Sequence, residues 1–413
     1  MFFLYQLIIS ILLLTSPIIL FIRIIKRKED KKRFAEKICF PSAKRIGGQL
    51  IWFHAASVGE LLSVIPLIKY YEKKKSIKQI LVTTSTLSSS KVIKNFKFKK
   101  VFHQFYPIDH FIFTKKFIKY WRPDLAIFIE SEIWPMMFKE LKHNNIPIIL
   151  LNARLTNKTF KRWMKIKFFA KSIFNQIKVA YPQNKETKIF LKKLNTKNII
   201  TIGNLKFSEN AYEEVNKINI KLKSEFNKRK IWIASSTHNK EEVFCAKSHL
   251  ELKKRHKNLL TIIIPRHIDR LEEIIFQLKK LNLKIAVYSS KPRSLKNIDI
   301  FIVDTFGETK TFHKIGNTVF LGGSLIKRGG HNPLEAARFG AKILHGPNTD
   351  NFKDVYKLLK YLNISKKINT PKELASSIIF KKNKRTASKL KNIGEKILKK
   401  TINDLNFFIK NEF

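Results

Sequence analysis

The stretch QLIWFHAASVGE, Gln49–Glu60, decides the fold class. Its first half is apolar at odd and even positions alike (Leu50, Ile51, Trp52, Phe53), so a strand made from it would be buried on both faces. Its second half spaces Ser57 and Glu60 as S-x-x-E, a capping box, just ahead of Leu61, Leu62 and Val64. A doubly buried strand running through a short polar loop into a helix is the unit of a parallel α/β sheet. The pattern recurs in ILVTTS (80–85), LAIFIE (125–130) and IPIILLN (146–152). A second set follows: KIWIASS (230–236), LLTIIIP (259–265), LKIAVYS (283–289), IDIFIVD (298–304), TVFLGG (318–323) and AKILHG (341–346). Between the sets, Lys206 to Lys230 is polar, charged and Asn-rich. Two Rossmann-like, doubly wound α/β domains are predicted, at 26–208 and 209–413, behind an anchor at 1–25.

Composition sets the outer limits. At 413 residues the chain exceeds one ordinary core. A hydrophobic share of 44% is too high for a disordered chain, and 13 Gly and 13 Pro are too few for a fibrous one. Cys39 and Cys245 stand alone, which excludes a disulfide framework and a cysteine-rich zinc module. A net charge of +51 calls for an anionic partner or for drift in base composition. A nucleic-acid-binding protein is the reading of another class. Against it, the basic residues are spread along the whole chain and no recognition module is present.

Met1 to Ile22 carries no charged side chain, and as a helix it would span about 33 Å, enough to cross a bilayer core of about 30 Å. Arg23, Lys26, Arg27 and Lys28 follow at once. The basic residues lie behind the apolar run rather than ahead of it, unlike a secretory signal. The positive-inside rule then predicts a single-pass anchor with everything after it in the cytoplasm. A buried amphipathic helix, interrupted at Pro17, is the alternative.

In open parallel sheets, ligands bind beyond the carboxyl ends of the strands. Seven polar clusters follow apolar runs in phase: HAASVGE, ESEIWP, NARL, SSTH, PRH, DTFGE and GGS. They point to a polar site between two facing domains. Glu60 reads as a cap residue or as a general base whose pKa burial raises. In ESEIWP, Glu130 and Glu132 are two catalytic carboxylates or a strand-end cap, with at most one functional. Asn152 and Arg154 hold an anionic group or tie their loop to Glu132. In GGHNPLEAARFG, Asn332 as N-cap, Pro333 at N1 and Glu335 at N3 mark a helix start. The glycines ahead of it let backbone N–H groups approach a phosphate. No P-loop, dinucleotide turn, serine-hydrolase elbow or metal-ligand spacing is present, so neither a metal nor a bound cofactor is expected.

Taken in order, HAASVGE, ESEIWP, NARL, GNLKF, SSTH, PRH, DTFGE and GGHNPLEAA, followed by GP and NFKD, resemble the Kdo (3-deoxy-D-manno-octulosonic acid) transferases of lipopolysaccharide synthesis. The resemblance covers about Gln49 to Asp354, and the apolar N-terminus is similar to that family's membrane anchor. It implies a GT-B fold, two Rossmann-like domains facing across a cleft. It implies transfer of Kdo from CMP-Kdo to a phosphorylated lipid A precursor at the cytoplasmic face of the inner membrane, with inversion. Carried onto this chain, Glu60 would be the general base, and Glu130 and Lys206 would stabilise the transition state. Pro265, Arg266, Phe306, Gly307, Glu308, Asn332, Pro333, Leu334 and Glu335 would contact the CMP of the donor. A GT-B transferase using another nucleotide sugar is the alternative among enzymes. A membrane-bound scaffold without the chemistry is a third reading, and the intact Glu60, Arg266 and Glu335 set counts against it.

Overall fold

The computed structural model describes residues 1–26, 29–209, 218–292 and 294–412. Two compact units emerge: Met1–Glu209 together with Gly394–Phe413, and Asn210–Ile393. The first unit holds β1 (Gln49–His54), β2 (Ile77–Thr84), β3 (Val101–Phe105), β4 (Leu125–Ile129), β5 (Ile148–Ala153) and β6 (Val179–Pro182). Their order is β3-β2-β1-β4-β5-β6, and neighbouring strands pair in parallel. The second unit holds β7 (Lys230–Thr237), β8 (Leu259–Pro265), β9 (Ile285–Val287), β10 (Ile300–Ile302), β11 (Thr318–Leu321), β12 (Lys342–His345) and β13 (Ser365–Lys367). It is ordered β13-β12-β11-β7-β8-β10-β9, again with parallel pairs.

Strand parity builds both cores. In β1, Leu50 and Trp52 pack on one face of the sheet with Phe117, Phe128 and Phe138. Ile51 and Phe53 pack on the other with Leu61, Val64 and Ile127. Each such side chain contributes roughly 1.5–3 kcal/mol when removed from water, so a one-residue slip of register would cost both layers at once. In the second unit, Trp232, Ala234, Phe320 and Leu344 pack with Cys245 and Leu252 of the helix Glu241–Lys253.

Three strands escape the apolar-run reading, each for a physical reason. β3 (VFHQF) has polar residues inside it, β6 (VAYP) is short and ends in proline, and β13 (SKK) is a charged strand at the sheet edge. Edge strands have one neighbour and tolerate such residues.

The domain assignment 209–413 needs correction at its end. From Gly394 onward, the helix Lys384–Glu412 groups with the first unit. Leu405 is fully buried there, and Ile397, Ile402 and Phe408 pack on the same layer as Ile51 and Phe53. Within the predicted boundary segment, 210–217 lie outside the described residues, as do Arg27 and Lys28 behind the apolar run.

The apolar N-terminus is one helix, Phe2–Ile25, continuous through Pro17, with a mean hydropathy of 2.5 and no buried residue. Its first turns rest on the first unit: Tyr5 donates to Asp109 at 2.8 Å, and Ser10 Oγ meets His110 Nε2 at 3.2 Å.

Candidate active site

Strand order reverses between β1 and β4 in the first unit, and between β7 and β11 in the second. The carboxyl ends of strands at such a reversal leave a crevice where ligands bind. HAASVGE and ESEIWP stand at the first of these places, and SSTH and GGS at the second; NARL, PRH and DTFGE follow the strands further along, β5, β8 and β10.

In the first unit, Ser57 caps the helix Val58–Glu72. Ser57 Oγ accepts from the Glu60 N–H at 3.3 Å and donates to Glu60 Oε1 at 2.8 Å. The Ala56 N–H donates to Glu60 Oε2 at 2.8 Å. The Ser57 half of the capping box is therefore formed, while the Glu60 carboxyl reaches one residue further back than the N-cap, to Ala56. The same carboxyl is half-buried, and its pKa is pushed up to about 7, first by burial and then by the charges of Glu132 and Glu130. Bonds from Ser57 and Ala56 oppose the rise without cancelling it. A group poised near neutrality is suited to take a proton. Glu60 is thus a cap residue with the acidity of a base.

Glu130 and Glu132 take separate partners. Glu130 ends β4 in a left-handed turn at φ 56°, buried, with Lys206 Nζ at 2.5 Å from its Oε1. Glu132 Oε2 accepts from Trp134 Nε1 at 2.9 Å and lies 3.2 Å from His54 Nε2. His54 is fully buried, which lowers its pKa, and its Nδ1 lies 2.9 Å from Thr83 Oγ1. No tie from Glu132 to Arg154 is found among the described residues. Their loops join through Ser131 Oγ, which donates to the Arg154 carbonyl at 2.8 Å.

Lys206 is placed by two asparagines. Asn152, at φ 53° on β5, accepts the Leu205 N–H at 3.0 Å, and Asn204 accepts the Lys206 N–H at 2.9 Å. The helix bearing Gly394 packs on this turn: a Cβ at Gly394 would lie 2.1 Å from the Phe207 carbonyl oxygen. The sequence names Lys206 and Asn152 but gives no hint of that contact.

In the second unit, Arg266 follows β8, exposed, with its N–H bonded to the Thr237 carbonyl at 2.9 Å. Beside it His267 faces His238, ring centroids 5.5 Å apart, and His238 Nε2 meets His331 Nε2 at 3.1 Å. Both His238 and His331 are pushed down to about 4, mainly by burial, so both rings are neutral near pH 7. Neutral rings can serve a ligand as hydrogen-bond partners. Among the described residues no group of His, Cys, Asp and Glu has the arrangement to hold a metal ion.

Phe306, Gly307 and Glu308 follow β10, which lies beyond β8 from β7, and Phe306 is 76% exposed. Gly329 and Gly330 take left-handed φ values of 81° and 71° just before His331. The helix predicted from Asn332 is a single turn, Leu334–Ala337, with Pro333 at its N-cap. Asn332 Oδ1 accepts the Leu334 N–H at 3.1 Å, the bond predicted for Asn332 as N-cap, although the helix itself begins one residue later than predicted. Gly340, at φ 80°, ends that element early, and so short a helix has little dipole to offer a phosphate.

Glu241 went unnoticed in the sequence. Its buried carboxylate accepts the N–H groups of His238, Gly323, Ser324 and Leu325 at 2.7–3.2 Å. It fixes the loop after β7 to the loop after β11. The signal was there: Glu241 stands three residues after His238, the spacing of a capping box.

Residues 32–209 match the family model described as 3-deoxy-D-manno-octulosonic-acid transferase (kdotransferase). The chain is also 33% identical over 382 residues to the 3-deoxy-D-manno-octulosonic acid transferase of Rickettsia bellii, covering 92% of this chain and 91% of that one. The chain belongs to the Kdo transferase family. Another Kdo transferase, from Haemophilus influenzae, is 31% identical over 94% of this chain and 93% of its own. As a Kdo transferase the chain is a glycosyltransferase, and its two parallel α/β units have the GT-B architecture. The crystal structure of a UDP-N-acetylglucosamine 2-epimerase superposes with a TM-score of 0.61 at 12% identity, over 89% of this chain and 97% of that one. A glycosyltransferase from Rickettsia africae gives 0.55 at 12%, over 89% and 100%. At those identities the likeness is one of fold.

Proposed function

We propose that this Kdo transferase moves Kdo from CMP-Kdo onto a hydroxyl of a phosphorylated lipid A precursor at the cytoplasmic face of the inner membrane. The observation that carries this reading is Glu60. It is a half-buried carboxyl with a pKa pushed up to about 7, among Glu130 and Glu132, at the strand-order reversal of a Kdo transferase. Glu60 takes the proton of the acceptor hydroxyl as its oxygen bonds to the anomeric carbon. The bond from that carbon to the CMP phosphate breaks, and CMP leaves with the electron pair. One displacement inverts the anomeric centre.

Charge grows on the departing phosphate as the sugar becomes oxocarbenium-like. Arg266 and Lys206 are the cations that offset it, and fixed charges of this kind are among the largest contributions to catalysis. Glu130 keeps the Lys206 ammonium in place. The left-handed glycines before His331 let the backbone come close to the nucleotide. Pro265, Phe306, Gly307, Glu308, Asn332, Pro333, Leu334 and Glu335 form its remaining contacts.

The test incubates the full-length enzyme with CMP-Kdo and a tetra-acylated lipid A precursor and weighs the products. The expected result is a lipid heavier by one or more Kdo residues. Transfer from a UDP-sugar in place of CMP-Kdo would overturn the donor, and absence of any lipid product would overturn the acceptor.

A further inference from the structure

The helix Phe2–Ile25 is apolar enough to cross a bilayer, yet its polar residues other than the exposed Thr15, which bonds back to the Leu12 carbonyl, keep to one side. Tyr5, Gln6, Ser10, Ser16 and Arg23 are all partly covered, whereas Phe3, Leu7, Leu14 and Phe21 are exposed. The covered stripe is seated on the unit that follows it. Tyr5 donates to Asp109, a buried carboxylate that also accepts the Met136 and Met137 N–H groups at 3.0 and 2.8 Å. Gln6 Oε1 accepts the Phe111 N–H at 3.2 Å, and Ser10 meets His110. The Phe2 ring stands edge-on to Phe169 at 4.9 Å, with Lys139 Nζ 5.3 Å above it. At the other end, Arg23 Nε pairs with Glu29 at 3.0 Å.

These contacts and a bilayer crossing exclude each other. At about 1.5 Å per residue, Ser10 lies roughly 22 Å along the helix from Ile25. In a crossing helix followed by a water-soluble unit, Tyr5 and Ser10 would sit deep in hydrocarbon or beyond it. Asp109 and His110, on the folded unit, could not reach them.

We propose that the helix lies in the plane of the membrane, immersed in one leaflet, with its polar stripe held on the first unit. The partner is an anionic phospholipid surface. Helices that lie at an interface bury one face among acyl chains and keep the other off the lipid. The apolar surface also continues past the helix. Phe111 and Ile112 are 49% and 41% exposed beside Gln6, and Phe168 is 88% exposed next to Phe169. Lys115 and Lys116 stand one helical turn beyond Phe111 and Ile112, and Lys167 adjoins Phe168. Basic side chains beside an immersed apolar patch strengthen its attachment to an anionic surface.

Inner-membrane vesicles of known orientation decide the matter, and the assay does not read turnover. The full chain carries a protease-sensitive epitope ahead of Met1. Protease added on the face that bears the folded units should remove the epitope completely, since both helix ends lie on that side. An epitope cut only from the opposite face means that the helix crosses, and it overturns the proposal. Purified full-length chain should also float with phosphatidylethanolamine–phosphatidylglycerol vesicles, and more of it should be lost at 1 M salt from anionic than from neutral vesicles. Chain that stays behind as a dimer joined through this helix would make a second copy the occupant, and the proposal would fall.

Discussion

Glu60 has two jobs, and substitution separates them. Glutamine keeps an acceptor for the Ala56 N–H but cannot take a proton, so Glu60→Gln should keep its cap and lose transfer by about 10²–10⁴-fold. Wild-type turnover should rise with pH through about 7, where the carboxyl ionises, and level off above it. Stability runs the opposite way. The folded carboxyl takes its proton near 7 against an ordinary 4.5, so between those values the native state holds more protons than the unfolded one. Wild-type stability therefore falls, through this group, as pH rises across that window, and the Gln variant lacks this contribution. Urea unfolding of both proteins at pH 5 and pH 8 measures the difference. Ordinary turnover by the variant on a lipid acceptor would remove Glu60 from the chemistry.

Elements show which parts of the molecule could be read in advance. A strand buried on both faces writes itself as an apolar run, so β1 and β8 were found from Gln49 and Leu259 to their ends. β13 could not be, because an edge strand of Ser-Lys-Lys pairs through its backbone and carries no pattern. At the candidate site, residue types at strand ends drew attention to Glu60, to the pair Glu130 and Glu132 and to the PRH cluster, while the roles given to Glu130 and Arg266 came from the resemblance. The supporting contacts join positions far apart in the chain, and those were invisible. Gly394 is one of them. Helix propensity alone makes Gly394→Ala stabilising by about 1 kcal/mol. The Phe207 carbonyl, 2.1 Å from the new Cβ, makes it destabilising, because backbone must move. The variant should melt below the wild type and transfer more slowly as the Lys206 turn shifts; a raised Tm would show the helix is not held there. Glu241 is another. Alanine leaves four buried N–H groups without their acceptor, a loss of about 3 kcal/mol. Glu241→Ala should lower Tm and weaken CMP binding by calorimetry, whereas Glu241→Gln, with one acceptor oxygen, should recover part of both.

On the scale of the whole molecule, the chain leaves the first unit after Glu209 and re-enters it at Gly394, so the second unit is an insertion in the first. The residues that close the first unit are therefore its last ones in sequence, although the whole second unit, with the motifs proposed to hold the donor, comes before them. Leu405 tests this arrangement. It is fully buried in the layer that holds Ile51, Phe53 and Leu205, the last of these next to Lys206. Leu405→Ala leaves a cavity there and should cost about 2–5 kcal/mol. If the C-terminal segment belonged with the donor-side unit, as its place in the sequence suggests, CMP affinity would fall along with stability. The contacts predict a different split: lower stability of the first unit, with CMP binding by the second unchanged in calorimetry. Because ligand binding stabilises only the native form that holds the site, CMP should still protect Asn210–Ile393 from proteolysis in the variant to the wild-type degree, while the first unit is cleaved sooner.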